Sequence, residues 1–181
     1  MLRSIWFAFL SVLFLAACET PAPPQLGPDG LPLPKYYNLT AQNKAAVQFR
    51  MLDAVNALRS TVGAPVLQLN AQLNAAAATH ARDMSVQNRP WHFGSDGSSP
   101  LERVRRVGYG KMLIGEVISE TYENEIETLS AWMSNANTRD VLLDKNAQDM
   151  GFDWFQEPSG KIWWTLVLGG QSLSADAATA E

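Results

Sequence analysis

The chain is poor in the residues that most often bind metals or attack substrates. It has one cysteine and two histidines in 181 residues. With Cys18 alone, no intramolecular disulfide can form. The sequence contains no H-E-x-x-H pair and no glycine-rich phosphate loop. It also lacks the strand–GxSxG–helix pattern of a nucleophile elbow. Basic charge is scarce: 14 Lys and Arg face 18 Asp and Glu, a net charge of −4. That excludes the basic face of a nucleic-acid phosphate binder. The one long apolar run, residues 5–15, is too short to span a bilayer comfortably. No internal repeat is present. What remains is an ordinary globular composition, with 46% hydrophobic and 18% charged residues, and six tryptophans that point to a well-filled core.

The position of the lone cysteine gives it meaning. Arg3 supplies a basic start, residues 5–15 ("IWFAFLSVLFL") form a signal-peptide core, and "LAAC" ends at Cys18. This order resembles the lipobox of bacterial lipoproteins. The resemblance implies cleavage before Cys18 and acylation of its thiol and new amino group. Two or more acyl chains hold a protein stably on a membrane, whereas one does not. Glu19, rather than aspartate, follows the cysteine, which implies outer-membrane delivery if the host is Gram-negative. Residues 19–35 carry six of the ten prolines. Proline supports neither a helix interior nor a central strand. As an extended stalk at about 3.1 Å per residue, the segment reaches roughly 50 Å. The expected organisation is a signal peptide over 1–17, a lipidated Cys18 with linker over 18–35, a folded domain over 36–171 and a disordered tail over 172–181.

Within the domain, Val47, Met51, Ala54, Val55 and Leu58 recur at helical spacing, and the pattern predicts a helix over 41–61 ended by Gly63 and Pro65. Asn70 starts a second helix whose inner face reads Leu73, Ala77, His80 and Met84. Ser99, Pro100 and Glu102 form a capping box for a short third helix. Its inward residues are Leu101, Val104 and Val107, with Arg103, Arg105 and Arg106 on its wet side. A strand over 112–119 places Met112, Ile114, Glu116 and Ile118 on one face by alternation. A helix over 123–136, with Ile126, Leu129 and Met133 as its seam, and strands over 149–156 and 162–168 complete the domain. Helices flanking a mainly antiparallel sheet make an α+β layered fold.

Glu116 is the strongest chemical clue. A carboxylate on an otherwise apolar strand face needs a partner. His92, before the "GSDG" turn, is a candidate, and an arginine would also lower its pKa. A carboxylate–imidazole pair is capable of general acid–base chemistry. His80, alone on an apolar helix face, reads as a core residue. The acidic group Glu116, Glu120, Glu123, Glu125 and Glu127 is mostly explained by a helix N-terminus.

Several fragments stand in a recognisable order. They are "NALRSTVGAPVLQLNAQLNAAAATHARDM" (56–84), "HFGSDGSSPLERVRRVGYG" (92–110), "GEVISE" (115–120), "AWMSNANTRDVLL" (131–143), "DMGFDW" and "WWTLVLGG". The set resembles the bacterial, SCP-like branch of the CAP superfamily, which also includes cysteine-rich secretory proteins, antigen 5 and pathogenesis-related proteins. The resemblance implies a three-layer α-β-α sandwich with a cavity lined by histidines and glutamates, in which some members bind a divalent metal such as zinc. On this pattern His92 and Glu116 match cavity residues, and Arg139 matches the arginine of a "GHR" element. The chain departs from it twice: Val117 replaces an asparagine, and Thr138 replaces the second histidine. The ligand cavity expected from the resemblance is therefore His92, Glu116, Thr138 and Arg139. Two functions follow. One is a membrane-tethered, monomeric, non-enzymatic module that binds a small, lipid-like or cell-envelope ligand or protein. The other is a hydrolase or peptidase using Glu116 and His92, with or without metal.

Overall fold

The computed structural model describes residues 37–171. The apolar run, Cys18, the proline-rich segment and the tail over 172–181 lie outside the described residues. The elements in chain order are α1 (Lys44–Thr61), β1 (Gln68–Leu69), α2 (Ala71–Gln87), α3 (Pro100–Arg106), β2 (Met112–Thr121), α4 (Glu125–Ser134), α5 (Ala136–Leu142), β3 (Ala147–Gln156) and β4 (Ile162–Gly170). The sheet order is β1-β3-β4-β2. The short β1 runs parallel to β3, and the longer pairings are antiparallel. Among the described residues no helix is long and apolar enough to cross a membrane.

The sandwich follows from β4, which is buried along its whole length. A strand covered on both faces reads as a continuous apolar run, as "IWWTLVLGG" does. Trp164, Leu166 and Leu168 pack with Val47, Met51 and Val55 of α1, Leu129 and Trp132 of α4, and Leu142 of α5. Val167 and Trp163 face the other way, toward Leu73, Ala77, Ala81 and Met84 of α2. Phe152 stacks on Trp164 with centroids 5.4 Å apart. Among the described residues the tryptophans are thus chiefly core material. Gly151 lets α2 press onto the sheet: a Cβ there would lie 2.1 Å from the carbonyl carbon of Leu73.

The inner face of α2 is as expected, with Leu73, Ala77, His80 and Met84 all fully buried. Asn70 caps α2, accepting from the Gln72 and Leu73 amides. Other elements differ from the sequence expectation. The first helix begins at Lys44, because residues 41–43 form a turn. The two-residue β1 is too short to leave a period. The expected helix over 123–136 stops at Ser134, and Asn135 then caps a separate α5. Its buried face is Glu125, Thr128, Leu129 and Trp132, while Ile126 is exposed. In β2, a register shift between Leu113 and Gly115 breaks the alternation. Ile114 packs with the α1 side, whereas Ile118 packs with Met84 and Trp163. Met112 and Leu101 are exposed.

The capping box on α3 forms as predicted: Ser99 Oγ accepts from the Glu102 amide, and Glu102 accepts from the Ser99 amide. Replacing Ser99 with alanine is expected to cost about 1 kcal/mol. Urea unfolding would read this as a lower midpoint at unchanged slope. An unchanged midpoint would mean that packing alone holds α3.

Candidate functional site

Four elements converge on Glu116. From β2, next to Val167 in register, it points into the layer shared with α2 and α3. Its side chain is 3% exposed. Arg103 of α3 reaches it from one side: Nη2 lies 2.8 Å from both carboxylate oxygens. His92 Nδ1 lies 2.9 Å from Oε1. His80 of α2 contributes a third nitrogen, its Nε2 lying 3.6 Å from the same oxygen. The expected pairing of His92 with Glu116 is therefore present in the structure.

Arg103 corrects the expectation that all three arginines of α3 face solvent. It is buried, whereas Arg105 and Arg106 are exposed. The reason lies in helix geometry: Arg103 adjoins Val104 on the inner face, and Glu116 demands a cation there. Arg103 also ties down the loop, since Nη1 donates to the carbonyls of His92 (2.9 Å) and Ser98 (3.0 Å). The requirement that Glu116 have a partner was visible in the sequence; which arginine would answer it was not.

The loop from α2 to α3 presents His92. Asn88 ends α2 in the left-handed region, with φ of 50°. Trp91 Nε1 donates to Gln87 Oε1 at 2.7 Å, and the Arg89 guanidinium lies 3.9 Å over the Trp91 ring. Trp91 and Phe93 approach to 5.7 Å between centroids. The His92 side chain is half exposed. The "GSDG" stretch is a turn: Ser95 Oγ donates to Asp83 and the Ser98 amide to Asp96. A groove of about 330 Å³, lined by Thr79, Asp83, Ser98, Arg103 and Arg106 among others, shares Arg103 with this cluster but is not lined by His92 or Glu116.

Burial opposes ionisation of Glu116. The His92 hydrogen bond, the His80 ring and the Arg103 guanidinium overcome that penalty and bring its carboxyl below the usual 4.5. Burial likewise pushes His80 below its usual 6.5, against the pull of Glu116. Both shifts make acid destabilising. For His80, the unfolded chain takes up a proton as pH falls from 6.5 toward the folded value, and stability is lost over that interval. For Glu116, stability is present above 4.5 and is lost as pH falls through its folded value. Urea midpoints measured down the pH scale should begin to drop below 6.5, and His80→Gln should remove that upper part of the drop. Stability that rises as pH falls past 6.5 would refute this.

The other expected cavity residues lie elsewhere. Thr138 sits on α5, where Oγ1 donates to the carbonyls of Trp132 and Asn135. Arg139 lies 3.6 Å from Asp140 on an exposed surface. Through Val141 and Leu142, α5 packs on the α1 side of the sheet, opposite the α2 layer. The acidic residues after Glu116 also disperse: Glu120 pairs with Lys161, Glu125 with Arg50, and Glu127 caps α4. Among the described residues no group of three His, Cys, Asp or Glu is arranged to hold a metal ion. Arg103 stands where a cation would have to bind Glu116, so this residue set does not fit zinc.

The molecule is a three-layer α-β-α domain in which Glu116 of the second strand pairs with His92 of the loop between α2 and α3. The family model described as "CAP: Cysteine-rich secretory protein family" matches residues 52–168, more than half of the chain, and the chain belongs to that family. Solved structures agree on the fold. An outer surface protein from Borrelia burgdorferi superposes with a TM-score of 0.66 at 14% identity, covering 76% of this chain and 100% of that one. An extracellular SCP-domain protein from Bacillus anthracis gives 0.64 at 20% identity, covering 74% and 45%. A cysteine-rich secretory protein from Staphylococcus aureus gives 0.58 at 13% identity, covering 77% and 44%. The chain spans less than half the length of the last two. No curated protein matches it significantly.

Proposed function

We propose that this protein is an extracytoplasmic CAP-domain lipoprotein, tethered through Cys18, whose domain binds a ligand at His92 rather than hydrolysing one. The tether reading is supported by "LAAC" at residues 15–18 and the proline-rich stalk. It is also in keeping with the outer-surface and extracellular descriptions of its structural neighbours. A Gram-negative host would place it on the outer membrane. The ligand is a small, lipid-like or envelope molecule, or a protein, and the domain acts as a monomer without nucleic acid.

The observation that carries the binding reading is the commitment of Glu116. Both its oxygens accept from Arg103, and one also accepts from His92. A general base works best with a pKa near the operating pH, whereas this carboxylate is held well on the ionised side. The hydrolase reading has one observation in its favour: a Glu116-bound His92 leaves Nε2 free to act as a base. Its nucleophile would be a water, because the nearby Ser95 and Ser98 hydroxyls are engaged by Asp83 and Asp96. Native mass spectrometry of the full chain, released from its own host's envelope in detergent, tests the reading. A bound mass that is lost in His92→Ala supports binding at this site. A bare chain, or an adduct indifferent to His92→Ala, refutes it.

A further inference from the structure

The orientation of the His92 ring is set from beneath by a residue the binding reading does not use. His80 lies on α2 with no exposed surface. Its Nε2 is 3.0 Å from the carbonyl oxygen of Trp91, the residue immediately before His92. A carbonyl only accepts, so Nε2 carries the proton and Nδ1 is bare. Consistent with that assignment, His80 Nδ1 is buried without a hydrogen-bond partner. The same Nε2 lies 3.6 Å from Glu116 Oε1, the oxygen that His92 Nδ1 reaches at 2.9 Å. One buried imidazole therefore touches both things that fix His92: the backbone that carries it and the oxygen that receives its proton.

The next carbonyl is held as well. Arg103 Nη1 donates to the His92 oxygen at 2.9 Å. Two successive carbonyls are thus pinned from the interior, one by α2 and one by α3, and the ring between them has little freedom. An ionised carboxylate, like a carbonyl, only accepts. In its neutral form, His92 then places its proton on Nδ1 and keeps Nε2 as a bare lone pair.

We propose that His80 is the positioning residue of this site: by holding the Trp91 carbonyl and standing against Glu116, it fixes His92 in the Nδ1–H tautomer with a bare Nε2 as its outward group. This builds on the binding reading only in what Nε2 is used for. A bare imidazole nitrogen selects a ligand that offers a hydrogen-bond donor, and the Trp91–Phe93 ring pair on the two adjoining residues supplies an apolar face. A hydroxyl or amide N–H on a flat or aliphatic body fits, whereas a carboxylate or phosphate at neutral pH does not.

The test needs no ligand, so its failure is separable from failure of the binding reading. Long-range proton–nitrogen NMR correlations on the histidine-¹⁵N-labelled full chain in detergent report the tautomer of each ring. Only two histidines are present, and His92→Ala assigns them. The expected wild-type pattern is opposite tautomers, with His80 protonated on Nε2 and His92 on Nδ1. In His80→Phe the His92 nitrogens should lose this pattern and average toward one another. In His80→Gln, whose amide nitrogen takes the place of Nε2, the pattern should return. The proposal is overturned by a folded His80→Phe in which His92 keeps its Nδ1 proton. If that variant does not fold, the wild-type spectrum and His80→Gln decide: a His80 proton on Nδ1, or an averaged His92 in either protein, overturns it equally.

Discussion

Replacing Arg103 with methionine is expected to destabilise the domain by about 3–5 kcal/mol, because it strands a buried carboxylate. Glu116 would lose the guanidinium that contacts both its oxygens and keep only the half-exposed His92 and the neutral His80. The His92 carbonyl would lose the Arg103 donor in the same step, and the Ser98 carbonyl would keep only the Gly94 amide. Two further signs distinguish this from a simple loss of packing. The Glu116 carboxyl should move upward, toward or beyond its ordinary value. Adding Glu116→Leu to Arg103→Met should recover much of the stability, since removing both charges of a buried pair costs far less than removing one. Equal instability in the single and double variants would show that Arg103 acts through packing alone.

A comparable loss, on the order of 4 kcal/mol, is expected for Arg59→Met. Arg59 is fully buried in the last turn of α1. Its Nε donates to the Pro65 carbonyl at 2.9 Å, Nη1 to those of Leu142 (2.8 Å) and Asp144 (3.0 Å), and Nη2 to that of Ala147 (3.2 Å). One guanidinium thereby joins the end of α1 to the end of α5 and the start of β3. Methionine fills similar space but removes all four bonds, two of them buried, and leaves the Asp144 carbonyl only the Ala147 amide. The melting temperature should fall by roughly 10 °C or more. A shift of only a few degrees would mean that water replaces the guanidinium. The variant should leave the Glu116 cluster intact, because that cluster lies in the α2 layer, and the His92 NMR pattern would check this.

What was legible in the sequence follows from what carries a period or a local signal. The face of α2 from Leu73 to Met84, the Asn70 cap and the Ser99–Glu102 box all appear where the residues place them. The strand over 162–168 appears as β4, and the structure adds that it is covered on both sides. Glu116 was visible as a carboxylate needing a partner, and His92 as one of its partners. What was not legible depends on shape without a local mark. The bulge near Ile114 moves side chains between faces with no glycine or proline cue at the bulged residue itself. The break at Asn135 falls inside a continuous helical pattern. Arg103 and Arg59 are buried although arginine rarely is, because each meets acceptors contributed by distant segments. Matching Thr138 and Arg139 by motif placed them at the cavity, whereas α5 packs on the other side of the sheet.

On the proposed function Glu116 is a fixed, ionised anchor and not a working base. Its side-chain carboxyl shift, followed by carbon-13 NMR through a pH titration of the folded protein, measures that directly. The carboxyl is expected to stay ionised from neutral pH down past 4.5 and to titrate only below that point. A midpoint close to neutral pH would contradict it and return Glu116 to the role of general base.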